Sequence, residues 1–206
     1  AGVVDEGVDR PERVRGLGDH RGELGLVRDV GIDGHDPAAV GARHLSGHLL
    51  CCALYQALAQ VVPDKVVADS GGTPALRVRF SGTDDKGTRF AQMLFASGGM
   101  GASSGRDGLS TTAFPTNSGA GSIEALEAVS PLLVNKKEYR PDSGGAGRQR
   151  GGLGQECTIQ NLTSKAVHVG TLGDRGNHPA LGLEGGLIGA PTKAALQDGT
   201  NVGLKS

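Results

Sequence analysis

The sequence contains very few aromatic residues: of its 206 residues, none is tryptophan, two are tyrosine and four are phenylalanine. Large core anchors are therefore scarce, and 36 glycines indicate a fold rich in loops. No apolar run reaches the roughly 18 residues that a membrane-spanning helix needs. The first residues also lack the basic flank and apolar centre of a signal peptide. These absences predict a soluble cytoplasmic protein.

Cysteine and net charge are also low. Only three cysteines are present, two of them adjacent, so the chain has no disulfide framework and suits a reducing compartment. The formal net charge is -1 at pH 7. Because positive charge is not in excess, there is no electrostatic basis for binding nucleic acid or an acidic membrane surface. We expect neither partner.

Residues 1–43 differ in composition from the rest of the chain. This segment contains six arginines but no lysine and no aromatic residue. Its glycines recur every few residues and would each cost a helix roughly 1 kcal/mol, so we expect poor order or short, weak strands. One hypothesis is that a misread or misjoined coding frame produced this segment. We therefore divide the chain into an atypical segment, residues 1–43, and a main domain, residues 44–206.

The pattern of apolar residues predicts an α+β fold dominated by strands. Between His44 and Val62 the apolar positions approximate a helical stripe, which Pro63 ends. Ser122 is a suitable N-cap for a second, short helix over residues 123–128. The first of these two segments is the main predicted helix.

Strands are predicted in the remaining apolar stretches. Residues 77–80 and 88–96 flank a polar turn at residues 81–87 and should form a hairpin. Three further strands complete a mixed sheet punctuated by glycine-rich loops, at residues 155–161, 166–170 and 192–196.

Residues 140–154 carry the strongest functional signal, with six glycines and three arginines. Glycine lets the main chain approach another surface closely, and guanidinium groups bind carboxylates. The segment is therefore typical of an anion-binding loop, although a tight surface connection with solvated arginines has the same composition. It lacks the Gly-Lys-Ser/Thr ending of a phosphate-binding loop and the spacing of a dinucleotide fingerprint. It therefore does not predict nucleotide binding.

A second polar loop, around Arg106 and Asp107, follows the predicted strand at residues 88–96. It gathers a cation, a carboxylate, several hydroxyl groups and the amide of Asn117. Loops at such positions often carry substrate-binding residues. The alternative is that Arg106 and Asp107 pair across the turn and only hold it closed.

A third polar loop follows the predicted strand at residues 166–170. Here His178 lies close in sequence to Asp174 and Arg175, and its imidazole could act as an acid or base near neutral pH. Alternatively, His178 caps a turn before Pro179.

Four possible metal ligands recur along the first predicted helix. His44, His48, Cys51 and Cys52 would share one helix face and present imidazole and thiol groups. However, no glutamate follows His44 as in a metalloprotease helix, and buried cysteines often serve as small apolar residues. We favour a packed helix and predict no metal site.

Taken in order, residues 97–117, 123–134 and 140–154 resemble the hydantoinase B / 5-oxoprolinase family. This family includes the large subunits of N-methylhydantoinase and of acetone and acetophenone carboxylases. The resemblance begins near His44 and concerns the carboxy-terminal portion of family members. It implies an ATP-dependent hydrolase that opens the ring of 5-oxoproline or of a hydantoin.

The resemblance also implies a partner. A hydantoinase A-like subunit or fused half would bind ATP with Mg and activate the amide carbonyl by phosphoryl transfer. The present chain would position the small cyclic amide for attack by water, and the family's metal ligands belong to an amino-terminal region not matched here. Two alternatives stay open: a subunit of a ketone carboxylase of the same family, or a non-catalytic fragment that keeps a subunit-contact surface.

The resemblance and the chemistry of the loops together predict the site residues. The catalytic candidates are Arg106, Asp107 and His178. The substrate-binding candidates are Asn117, Arg140, Asp142, Ser143, Gly144, Gly145, Arg148 and Arg150. The two arginine-bearing loops are expected to face a common pocket, where cations and main-chain donors would stabilise negative charge on the carbonyl oxygen. The chain on its own is expected to be almost inactive.

Overall fold

The computed structural model describes residues 37–71, 76–115 and 121–202. These ranges contain two α-helices and five β-strands, which confirms an α+β fold dominated by strands. The elements in chain order are α1 (Pro37–Ala59), β1 (Leu76–Thr83), β2 (Arg89–Ala96), α2 (Ile123–Val129), β3 (Leu132–Tyr139), β4 (Gln155–Asn161) and β5 (His168–Gly173). A short 3-10 turn, Pro63–Lys65, follows α1.

The strands form two antiparallel sheets. One has three strands in the order β2-β1-β5, and the other pairs β3 with β4. In the first sheet Phe80 of the central strand lies opposite Gln92 on one side and Val169 on the other. In the second sheet the register shifts between Val134 and Lys136, which marks a β-bulge.

The predicted hairpin is present as β1 and β2, but its turn is shorter than predicted. The strand β1 continues to Thr83, through residues assigned to the turn. The turn is closed at Asp84, whose main-chain N–H donates to Thr88 O at 2.9 Å and whose carboxylate accepts from Thr88 N at 2.7 Å. Gly87 follows with φ +90°, a conformation that favours glycine.

Apolar side chains from both sheets form the core. Phe80, Leu132 and Val167 are 2%, 1% and 0% exposed, and Leu126 of α2 packs with them. The helix α2 begins where predicted, because the Ser122 hydroxyl caps it by accepting a hydrogen bond from Ala125 N at 3.3 Å.

Two strand predictions need correction, and one strand was not predicted. Residues 192–196 are not a strand: only Ala195 forms an isolated bridge, to Asn201, because the chain folds back on itself through a turn at Gly199. The strand predicted at residues 166–170 begins and ends later, as β5. Strand β3 was not predicted, since its charged outer face and its bulge obscure the alternation of apolar residues.

The main helix also begins before its predicted start, at Pro37 rather than His44. Its inner side packs on the loop that follows β2, where the rings of Tyr55 and Phe114 stack with centroids 6.1 Å apart. The division of the chain at residues 43 and 44 stays a prediction. In the described ranges, neither helix has the length and apolar character needed to cross a membrane.

Candidate functional site

Two glycine-rich loops lie against each other, as the idea of a common pocket requires. Residues 97–115, which contain Arg106, are the first loop, and residues 140–154 are the second loop. The main-chain N–H of Gly152 donates to Met100 O at 2.9 Å, and that of Gly108 donates to Arg150 O at 2.8 Å. These bonds hold the main chain of the first loop along that of the second. The loops therefore form one structural unit above the sheets.

Glycine at the contact is required by main-chain packing. A Cβ atom placed on Gly99 would lie 1.8 Å from Gly152 O, and one placed on Gly152 would lie 2.1 Å from Leu109 O. No side chain fits at either position without moving the main chain. These two glycines are therefore required by the contact between the loops.

Asp107 connects the loops through its side chain. Its carboxylate accepts a hydrogen bond from the main-chain N–H of Arg150 at 2.8 Å. The turn that carries Arg106 is closed by the main chain, with two bonds of 3.0 and 3.1 Å between Ser103 and Arg106 and with Gly105 at φ +79°. Asp107 thus holds the neighbouring loop, and the side chain of Arg106 is exposed.

Arg140 and Ser143 fix the base of the second loop. The guanidinium Nη1 of Arg140 donates to Pro191 O at 2.7 Å. The hydroxyl of Ser143 donates to Arg140 O at 2.6 Å and accepts from Gly154 N at 2.8 Å. Both side chains are partly buried, and both hold the shape of the loop in addition to bordering the cavity described next.

A cavity of about 1010 Å³ lies beneath the loops. Five of the predicted substrate-binding residues line it: Arg140, Ser143, Gly144, Gly145 and Arg148. The predicted residues that are described but do not line it are Arg106, Asp107, Asp142, Arg150 and His178. All five are exposed. Asn117 lies outside the described residues.

Residues 180–193 supply another wall of the cavity, which the sequence reasoning missed. The main-chain N–H of Leu187 donates to Ala146 O at 2.8 Å, and that of Ala190 donates to Ser143 O at 3.0 Å. These bonds attach the segment to the second loop. The glycines between residues 182 and 189 were the available signal for such close packing.

A buried ion pair anchors this wall. Asp69 and Arg175 form a salt bridge whose side chains are 1% and 10% exposed. The second carboxylate oxygen of Asp69 accepts from Leu181 N at 3.3 Å, and Arg175 O accepts from Thr192 N at 3.0 Å. The pair therefore ties both ends of the wall to the segment before β1. Removing one partner of such a pair leaves a buried charge uncompensated.

His48 and Cys52 of α1 lie beside this ion pair. His48 is fully buried, and its Nε2 lies 3.4 Å from Cys52 Sγ. Burial, with a smaller contribution from Arg175, lowers the pKa of His48. Burial raises the pKa of Cys52 to about 11. Both side chains are therefore uncharged at neutral pH and fit the packed-helix interpretation.

The described residues do not support the binding of a metal ion by α1 or by other side chains. They contain no group of three or more His, Cys, Asp or Glu side chains arranged to hold an ion. The side chain of His44 lies outside the description.

Arg77 was also missed. It lies on the central strand β1, is 3% exposed and is attracted by Asp174. Burial lowers the pKa of Arg77 and raises that of Asp174, while Arg77 and Arg175 both act to lower the latter. The alternation of arginine with apolar residues along β1 was the signal for a charged face on the first sheet.

The domain has an α+β fold in which two packed glycine-rich loops and two antiparallel sheets surround a cavity. Such a cavity is typical of a small-molecule binding site. The sequence profile described as Hydantoinase B/oxoprolinase matches residues 32–206. The chain belongs to the hydantoinase B/oxoprolinase family, which confirms the resemblance.

Individual relatives agree with this assignment. The B component of a "Putative D-/L-hydantoinase" from Pseudomonas sp. (strain NS671) is 30% identical over 163 residues, covering 79% of this chain and 27% of that protein. The beta component of the caprolactamase of Pseudomonas jessenii is 29% identical over 176 residues, covering 78% of this chain and 30% of that protein. The present chain thus spans less than a third of either relative.

A solved structure shares the fold. The nucleotide-free structure of acetone carboxylase matches with a TM-score of 0.57 and 25% sequence identity. The match covers 70% of this chain and 19% of the acetone carboxylase chain. The same architecture therefore occurs within a much longer polypeptide.

Proposed function

We propose that this chain forms part of a B-type subunit of an ATP-dependent hydrolase that opens a cyclic amide, either 5-oxoproline or a hydantoin. The observation that carries the proposal is the cavity of about 1010 Å³, whose walls are the loops by which the family resemblance was recognised. The relatives named as subunits of a hydantoinase and of a caprolactamase support the cyclic-amide class.

Arg148 is the proposed stabiliser of the reacting carbonyl. Once the partner has transferred a phosphoryl group from ATP to the carbonyl oxygen, attack by water on the ring carbon leaves negative charge on the phosphorylated oxygen and its phosphoryl group. A cation near these oxygens lowers the barrier. Arg148 is exposed but borders the cavity, on a loop braced by the bond from Gly151 N to Gly145 O at 3.0 Å. Arg140 already donates one N–H to Pro191 O, so we propose that its main role in substrate binding is to hold the shape of the loop.

Arg106, Asp107 and His178 remain proposed catalytic residues, with a condition. All three are exposed and lie outside the cavity lining. In our proposal they act only where another subunit closes over this surface. Asp107 has a second role in any case, since its carboxylate holds Arg150 N.

The proposed partner is a hydantoinase A-like subunit that binds ATP with Mg. The relatives are named as the B and beta components of their enzymes, and such names support the existence of a partner. In this scheme the partner phosphorylates the amide carbonyl, and the present chain orients the ring and holds no cofactor. We place the assembly in the cytoplasm.

Two alternative functions have a specific observation in their favour. The match to acetone carboxylase supports a carboxylase subunit, in which an activated ketone enol captures carbon dioxide. Exposed apolar residues support a non-catalytic role as a contact surface: Leu50 and Val61 are 71% and 79% exposed.

The chain purified with its A-type partner distinguishes these functions. We expect ATP-dependent release of glutamate from 5-oxoproline or ring opening of a hydantoin, and negligible activity from the chain alone. Bicarbonate-dependent consumption of acetophenone would instead establish the carboxylase. If neither reaction occurs in the complete assembly, the contact-surface function is favoured.

Variants of the assembly test the role of Arg148. Replacing a donor that stabilises an oxyanion typically lowers kcat about 100-fold or more, and we expect that loss for Arg148→Ala. Arg89→Ala is the matched control, because Arg89 is exposed at the start of β2 and does not line the cavity. Equal activity of the two variants would contradict the assignment.

A further inference from the structure

The inner face of the first sheet is buried unevenly. Val78 and Phe80 lie on the same face of β1, and both have neighbours in β2 and β5. Phe80 is 2% exposed, whereas Val78, in the same central strand, is only partly buried and lines the cavity. Val78 and its β2 neighbour Leu94 line the cavity, whereas Phe80 does not, so the cavity reaches the first sheet at Val78.

The second sheet shows the same change along β4. Asn161, at the closed end, is 2% exposed. Ile159 and Cys157 lie on the same face but are partly buried, and both line the cavity. Cys157 and Ile159 follow Gly154 by three and five residues, which places them about 10 and 16 Å from the loops along an extended strand. The cavity thus extends from the loops into the space between the sheets.

The lining of this inner end is aliphatic or thiol in character. It consists of Val78, Leu94, Ala96, Cys157 and Ile159. We call these five residues the apolar end of the cavity.

Two charged residues lie near the apolar end. Lys137 lies opposite Cys157 in the register of β3 and β4, and its charge acts on the Cys157 thiol, but Lys137 does not line the cavity. Glu156 borders the cavity from the outer face of β4, where Lys136 Nζ lies 3.1 Å from its carboxylate. The residues of the apolar end themselves carry no charge.

We propose that the apolar end is a subsite for an uncharged alkyl or alkylene group carried by the ring, so that the chain selects cyclic amides with a hydrocarbon substituent over 5-oxoproline. This inference rests on the proposed function, because the ring itself is placed beneath the loops. The carboxylate of 5-oxoproline would lose its hydration against aliphatic side chains without gaining a partner there. A methylene group buried there strengthens binding about fourfold.

A series of ring ligands of increasing chain length measures the subsite. Calorimetric titration of the intact chain with hydantoin, 5-methylhydantoin, 5-butylhydantoin and 5-hexylhydantoin should show Kd falling about fourfold per buried methylene until the apolar end is full. 5-Oxoproline should bind more weakly than 5-butylhydantoin. Equal Kd values across the series would overturn the inference.

Alkylation of Cys157 locates the bound chain. N-ethylmaleimide labelling at pH 8.5, followed by peptide mass spectrometry, reports Cys157 and Cys51 separately. The reaction requires an alkaline pH because burial raises the pKa of Cys157. At ten times its Kd, 5-hexylhydantoin should slow labelling of Cys157 about tenfold, since about one chain in eleven stays free. Labelling of Cys51, which is also partly buried but lies on α1 outside the cavity, should not change.

A filling substitution supplies an independent measurement. Ile159→Phe should abolish the gain in affinity from 5-methylhydantoin to 5-hexylhydantoin, because the larger ring occupies the subsite. Ile123→Phe makes the same substitution on α2, outside the cavity lining, and should keep the full gain. A full gain in the Ile159 variant, or unchanged Cys157 labelling in the unmodified chain, would overturn the proposal.

Failure of this inference can be told from failure of the proposed function. If the assembly with the partner opens 5-oxoproline while 5-hexylhydantoin leaves Cys157 labelling unchanged, the subsite is wrong and the function stands. If 5-hexylhydantoin protects Cys157 but the assembly opens no cyclic amide, the function is wrong and the subsite stands.

Discussion

The sheet region and the loop region of this molecule are held together by different parts of the chain. Between the sheets, large side chains such as Phe80 and Leu132 exclude water from a conventional apolar core. Between the loops, main chain packs on main chain at Gly99 and Gly152, through hydrogen bonds and without intervening side chains. In the first region side-chain volume limits what can be substituted. In the second region the limit is the absence of a Cβ atom.

This difference suits the proposed site. A cavity wall made of main chain has few rotatable side chains, so the positions of Arg140 and Arg148 depend on hydrogen bonds between segments. The sheets supply the aliphatic floor of the same cavity. In our proposal the loop region controls the chemistry of the ring, and the sheet region controls which substituent the ring can carry.

The largest expected effect tests the loop region directly. Gly99→Ala would place Cβ 1.8 Å from Gly152 O, so the loops must separate. We expect a loss of about 3 kcal/mol or more in the free energy of unfolding, beyond ordinary overpacking. Urea unfolding followed by circular dichroism measures it.

Gly47→Ala is the matched control for the glycine substitution. Gly47 lies on the exposed side of α1, and nothing stands within 4 Å of an added Cβ atom. This variant should gain about 0.5 to 1 kcal/mol, since alanine favours a helix over glycine. If both variants lose similar stability, main-chain packing is not what distinguishes the loop region.

The next effect belongs to the sheet region. Leu132→Ala removes a side chain that is 1% exposed in the core and should cost about 2 to 5 kcal/mol of unfolding free energy. Leu50→Ala, at a position that is 71% exposed on α1, should change it by less than about 0.5 kcal/mol. Similar losses from both variants would mean that Leu50 on α1 is covered in solution. Packing on α1 would then stabilise the protein in addition to the sheet and loop regions.

Local sequence patterns were sufficient for elements defined by neighbouring residues. The hairpin of β1 and β2 was recognised because its strands flank a short polar turn, and α2 because Ser122 precedes an apolar run. The start of α1 was missed by several residues, and its buried face was ambiguous. From Leu45 to Val62 the chain has no Asp, Glu, Lys or Arg, so no charged face distinguishes the exposed side from the buried side.

The candidate site was predictable only in part, because some of its contacts join residues that lie far apart in the sequence. The glycine and arginine content of residues 140–154 pointed to the cavity wall, and the family resemblance supplied its partner loop. Asp69 and Arg175 are 106 positions apart, and no local sequence spacing predicts a contact between them. Likewise, whether Asp107 pairs with Arg106 or with a distant main-chain N–H depends on tertiary structure that sequence periodicity does not encode.

A smaller effect concerns the junction of the two regions at His48. Burial beside Arg175 lowers its pKa below the 6.5 of the unfolded chain, whereas Asp69 acts in the opposite direction. Below pH 6.5 the unfolded state therefore binds a proton that the folded state refuses, and stability falls as the pH falls. The slope from this group is at most about 1.4 kcal/mol per pH unit.

Unfolding free energies at pH 5.5, 6.0, 6.5 and 7.5 measure that slope. His48→Gln should lose the part of the slope below pH 6.5 that His48 contributes, while contributions from carboxylates such as Asp174 cancel in the difference between the two proteins. His178→Gln is the control, because His178 is exposed. An unchanged slope in the His48 variant would show that its imidazole is accessible to protons in the folded state.

The smallest expected effect separates two roles of Asp107. Asp107→Ala removes the acceptor for Arg150 N, an exposed hydrogen bond of 2.8 Å, and should cost about 1 kcal/mol of unfolding free energy. Asp107→Asn keeps an acceptor oxygen and should retain most of that stability. If Asp107 only joins the loops, the Asn variant of the assembly with the A-type partner also keeps its ring-opening rate. If the carboxylate takes part in the reaction, the Asn variant is stable but slow, and the pH dependence of kcat changes with it. A stable, fully active Asn variant would therefore remove Asp107 from the catalytic candidates and leave it as a residue that positions the loop of Arg148.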